Sequence, residues 1–105
     1  AFAYDLGVAL SAWCASAAGA FDPARAAALV AGYRAGRRLE PETADALLPF
    51  ARFAALRFAT SRLWALRAPD LGRDRMPRKD WRPFRDRLLA LRAMGDAGLR
   101  SLAGL

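Results

Sequence analysis

Apolar residues recur at three- and four-residue spacings along most of the chain, and no stretch alternates as a strand would. The pattern predicts an all-α chain with helices over about residues 5–17, 23–35, 41–48, 49–67 and 81–94. Polar and special residues punctuate it. Asp5 stands where its carboxylate can cap the first helix, and Gly19 ends that run. Asp22-Pro23 is an N-cap followed by proline at the first helical position, and Gly36 is placed to close the second helix. Glu40-Pro41-Glu42 opens the third with acids against the helix dipole. Pro49 lacks the N–H that a helix interior needs, so the pattern predicts a division there. Residues 68–79, with two prolines, a glycine and mixed charge, read as a loop. Asp80 caps the last helix, where Trp81, Phe84, Leu88 and Leu91 share a face and Arg82 stands an i,i+4 step from Asp86. Residues 95–105 are weakly specified.

Two of these helices carry too much apolar surface for ordinary surface helices. From Leu6 to Ala15 the only polar side chains are Ser11 and the thiol of Cys14, which predicts burial on every side. In the long helix, arginines 52, 57, 62 and 67 step by five residues, so each turns about 140° from the last at 3.6 residues per turn. They cannot share one solvated stripe, so at least one, Arg57 or Arg62, is expected to point inward to a carboxylate. A few short helices can hardly enclose two such elements, and the expectation is a part of something larger.

Composition narrows the function more by what it lacks. The 105 residues are 55% hydrophobic, with 17 basic and 10 acidic side chains and a net charge of +7. That balance suits an acidic partner, and one alternative is a free-standing basic helical module binding nucleic acid or another protein. The arginines are spread along the chain, however, which fits solvated faces and ion pairs better than a nucleic-acid patch. Histidine is absent, which removes the usual triads and proton shuttles. A single cysteine excludes an internal disulfide and a zinc cluster, and fits a reducing cytoplasm. No glycine-rich phosphate loop and no membrane-length apolar run occur. The carboxylates sit mostly at helix starts or in loops, so no catalytic set and no metal site is expected within the segment. Trp13 and Tyr33, with other aromatics, offer either core or the wall of a small-ligand slot.

Four stretches taken in order, YDLGVALSAWC, FDPARAAALVAGYRAGRRLEPE, LLPFARFAALRFATSRL and RKD, add a resemblance over about residues 1–80. They are similar to the C-terminal part of bacterial homoserine kinases built on the aminoglycoside phosphotransferase and choline kinase fold. Ser11 stands where such proteins usually carry Asn, Trp64 where Tyr is common, and Trp81 replaces a proline; the C-terminal end does not match. The resemblance implies the helical C-terminal subdomain of a protein kinase-like α+β fold, with the ATP and Mg2+ sites and the other kinase lobes mostly upstream. The implied reaction moves the γ-phosphoryl of ATP to the hydroxyl of homoserine, in threonine biosynthesis. Another amino alcohol, a choline-like compound or an aminoglycoside is the alternative acceptor. By position, Asp5 would support the catalytic loop. Trp13, Tyr33, Arg57 and Arg62 would be candidates for the floor of the acceptor pocket, an arginine taking the amino acid's carboxylate.

Overall fold

The computed structural model describes residues 2–16, 20–67 and 80–105. These form four helices: α1, Phe2–Trp13; α2, Pro23–Gly36; α3, Pro41–Arg67; and α4, Arg82–Ala103. Among the described residues there is no strand, only an isolated antiparallel bridge from Ala15 to Phe21. None of the described helices is long and apolar enough to cross a membrane. The expected loop over residues 68–79 lies outside the described residues.

Helix α3 is the central element, with α1 and α4 packed on it and α2 leaning on α4 and α1. Leu6 and Leu10 of α1 meet Leu47, Leu48, Ala51 and Ala55 of α3, and Leu91 and Leu99 of α4 complete the cluster. Each buried leucine contributes roughly 1.5–3 kcal/mol relative to exposure. The α1–α3 crossing is close because its residues are small. A Cβ added at Gly7 would lie 2.8 Å from the Ala51 nitrogen and 2.9 Å from the Phe50 carbonyl carbon, both backbone. One turn on, the buried Ser11 donates its hydroxyl to the Ala51 carbonyl at 2.9 Å.

Helix starts follow local chemistry. Asp22 Oδ1 accepts the Ala24 N–H at 2.9 Å and the Arg25 N–H at 3.4 Å, with Pro23 leading α2. Asp80 Oδ1 accepts the Arg82 N–H at 3.0 Å, although Trp81 occupies the cap position itself. Asp5, in contrast, lies within the first turn of α1 rather than ahead of it, since α1 already begins at Phe2. Its charge still faces the favourable end of the helix dipole.

Four expectations need correction. The two helices expected over 41–48 and 49–67 are a single helix running through Pro49. Pro49 and Asp45, whose carbonyl loses its partner, are both exposed, so water can take the freed group. Leu47, Leu48 and Ala51 are buried on either side, and that burial exceeds the roughly 3 kcal/mol helix penalty of proline. Gly36 is the last residue of α2 instead of a left-handed residue beyond it; Arg37 closes the helix in an extended conformation. Asp86 pairs with its neighbour Arg85 at 3.0 Å, while Arg82 turns back to Asp80 at 3.1 Å. Helix α4 does not stop at Met94. Gly95 breaks it with φ 67° and ψ −175°, a conformation open essentially to glycine alone, and the chain re-enters a helix to Ala103. Leu99 and Ala103 of that last piece are buried. Arg100 bridges Asp96 at 2.8 Å and Asp45 of α3 at 2.5 Å.

Candidate functional site

The sequence candidates fall into separate neighbourhoods. Asp5 and Tyr33 share one: an open groove of about 530 Å3 between α1 and α2, floored by Leu6, Ala9 and Leu29. The Asp5 carboxylate is exposed and meets no partner among the described residues. Phe2 stands at the groove's mouth, with the Arg37 guanidinium 3.6 Å above its ring.

Trp13 closes α1 two turns from Asp5 and is 74% exposed. The expectation that residues 6–15 are buried on every side holds only in part: Val8, Ala9 and Ala12 are half-buried and Trp13 faces outward, because α2 and α3 cover only part of the circumference of α1. The backbone around Trp13 is nevertheless tightly held. Cys14 donates its N–H to Leu10 O at 3.2 Å, and its own carbonyl receives the Asp22 N–H at 2.8 Å. Burial pushes the Cys14 thiol up from its ordinary value, partly offset by Arg25 and reinforced by Asp22.

Neither arginine singled out as inward-pointing meets a carboxylate among the described residues. Arg57 is exposed and donates to the Tyr4 hydroxyl at 2.6 Å, beside a shallow apolar face of Phe53, Leu56 and Trp64. Arg62 donates to the Asp80 carbonyl at 2.8 Å and lies 4.5 Å over the Phe84 ring. A carbonyl, a phenol and an aromatic face satisfy these cations without burying a charge pair.

The buried arginine is Arg87, which the sequence reading passed over. It is 8% exposed, donates from Nη1 to the Ser11 carbonyl at 2.9 Å, and stacks 4.4 Å over Phe84 from its own helix. Its Nε is buried with no partner. Ser11 O belongs to the last turn of α1, where carbonyls lack intrahelical partners and the dipole's negative end favours a cation. Burial, with the neighbouring Arg62 charge, lowers the Arg87 pKa from its ordinary value. A signal for it was present in the sequence. Arg87 falls between Phe84 and Leu91 at i+3 and i−4, on the same apolar stripe of α4.

Among the described residues no three acids or sulfurs gather to hold a metal ion. At Asp80 the Arg82 N–H and guanidinium hold the carboxyl below its ordinary value, which suits a helix-start anchor.

No protein-family model matches the chain. Curated proteins do. A homoserine kinase of Azorhizobium caulinodans is 52% identical over 62 residues, 59% of this chain and 19% of the relative. Those of Methylorubrum populi and Methylobacterium radiotolerans are 51% and 54% identical over 63 residues, 60% of this chain and 20% of each relative. The chain is a homologue of part of the homoserine kinases. It spans about a fifth of the length of these curated relatives. The chain is all-helical over its described residues, and its candidate residues line the outside of a small core.

Proposed function

We propose that the protein carrying this segment is an ATP-dependent small-molecule kinase of the cytoplasm that phosphorylates the hydroxyl of homoserine. The observation that carries the reading is identity of about one half to several homoserine kinases across three-fifths of the chain. Phosphoryl transfer of this kind depends on positioning and on stabilising charge at the transferred group. The described residues contain neither a phosphate-cradling loop nor an acid cluster for Mg2+, so no step of the transfer is assigned to them.

The segment's part is support and shape. Asp5, an exposed carboxylate at the start of α1, is proposed as the prop of a catalytic loop that packs on this end of the helix. Trp13 and Tyr33 are proposed as aromatic walls on the acceptor side. Arg57 and Arg62 are the arginines proposed to attract the acceptor's carboxylate; each donates one guanidinium nitrogen to a protein partner, and a guanidinium has five N–H donors in all.

The test is ADP release by the full-length protein with homoserine, choline and aminoglycosides offered separately. Turnover with homoserine is expected, and its absence would overturn the substrate assignment. Asp5→Asn is expected to lower kcat on the order of tenfold while ATP affinity changes little, since misplacement of a catalytic loop acts on the reacting geometry. Unchanged kinetics would leave Asp5 a helix-dipole residue only.

A further inference from the structure

The end of α1 combines a large exposed aromatic ring with an unusually well-fixed backbone. Before Trp13, Ser11 is 0% exposed and anchored twice: its hydroxyl donates to Ala51 of α3, and its carbonyl accepts from Arg87 of α4. After Trp13, Cys14 is buried and its carbonyl is tied to the head of α2 by the Asp22 N–H. Three helices thus converge on the four residues that carry the tryptophan. An exposed tryptophan ring keeps its burial free energy for whatever binds it, and a fixed backbone lowers the entropy lost when something does.

Arg87 is the unexpected member of this set. A methionine or leucine would fill its place on the apolar stripe of α4 without burying a charge. The guanidinium instead leaves Nε unsatisfied, and what it gains is the Ser11 carbonyl and the Phe84 face. A cation at this point fixes the last turn of α1, where a helix otherwise frays.

We propose that Arg87 is a positioning residue for Trp13: by holding the Ser11 carbonyl it fixes the last turn of α1 and with it the direction in which the indole is presented to the acceptor. This rests on the reading of Trp13 as a pocket wall. Arg87 touches no reacting atom, and its effect passes through Ser11 to the tryptophan.

The test uses the full-length protein with Arg87→Met, Arg87→Lys, Trp13→Ala and the Arg87→Met/Trp13→Ala pair. Fluorotryptophan NMR, with the Trp13 line assigned through Trp13→Phe, reads the ring directly. In Arg87→Met the Trp13 line is expected to shift or broaden, and in Arg87→Lys to return most of the way. With homoserine, Arg87→Met is expected to raise KM about fivefold with kcat within about twofold, as lost positioning of a binding wall should. In the Trp13→Ala background the same change is expected to add less than about twofold, because two residues acting through one contact are not additive. An unmoved Trp13 line in a folded Arg87→Met protein overturns the inference, and so does full additivity. If Arg87→Met does not fold, Arg87→Gln takes its place and is read by the same line: a shifted or broadened Trp13 resonance supports the inference, an unmoved one overturns it. Failure of the unsubstituted protein to phosphorylate homoserine overturns the proposed substrate and leaves the NMR outcome to stand on its own.

Discussion

Replacing glycine by alanine should have opposite consequences at two positions of this chain, and the contrast tests the break in α4. At Gly95, φ 67° and ψ −175° place the backbone where side-chain-bearing residues are strained. An added Cβ meets nothing within 4 Å, so no packing clash contributes and the penalty is purely conformational. That strain is about 1–3 kcal/mol. Loss of glycine's freedom in the unfolded chain returns about 0.4–1 kcal/mol. The net expectation is a loss centred on about 1.3 kcal/mol and at most about 2.6 kcal/mol. At Gly32, inside α2, an added Cβ also meets nothing within 4 Å, and the backbone is helical. There alanine should stabilise by about 0.5–1 kcal/mol. Urea unfolding followed by far-ultraviolet circular dichroism would place the two midpoints on opposite sides of the parent's. Helical content in Gly95→Ala should fall or hold while its midpoint drops. A Gly95→Ala midpoint at or above the parent's would refute the reasoning, for it would mean α4 runs straight through residue 95 at no expense.

Two further outcomes can be checked with simple chemistry. Asp22→Ala removes an acceptor with one good and one long cap bond, so a loss of about 1 kcal/mol is expected, with Asp22→Asn recovering most of it, by urea unfolding. The Cys14 thiol, raised by burial, should resist alkylation in the folded protein up to a higher pH than a free cysteine and react at the ordinary rate in urea; because the unfolded thiol ionises first, stability should decline as pH rises past the free-thiol value. A native thiol that reacts as fast as free cysteine at pH 8 would contradict its burial.

Much of the helix content was legible because punctuation and periodicity agree. The Asp22-Pro23 start and the Glu40-Pro41-Glu42 start are local chemistry, decided within one turn. Pro49 misled because its local penalty is outweighed by leucines that find partners on α1, a helix more than thirty residues earlier. The piece after Gly95 was illegible for the same kind of reason. Its amphipathic run is short, and its hold on the fold comes from Leu99 and from Arg100 reaching Asp45. At the candidate site, counting the turns of the α3 arginines gave reason to expect one of them turned inward, and Arg52 does bury its Nε. Neither Arg57 nor Arg62 meets a carboxylate among the described residues, however, and the one buried arginine among those residues lies on α4. Arg57 and Arg62 found partners at the surface, whereas Arg87 sat in plain view on the apolar stripe of α4.

The bond from Arg87 to Ser11 joins positions 76 residues apart. During synthesis α1 leaves the ribosome before α4, which carries the cation that secures its last turn. At about 5–20 residues per second the wait is roughly 4–15 s. Throughout it, the Ser11 carbonyl lacks its guanidinium, and Leu10 lacks the α4 leucines that later cover it. The last helix therefore acts as a latch on the first. A premature stop within α4 would undo the opposite end of the segment, and a chaperone holding the nascent chain would have the apolar flank of α1 to grip until that latch arrives.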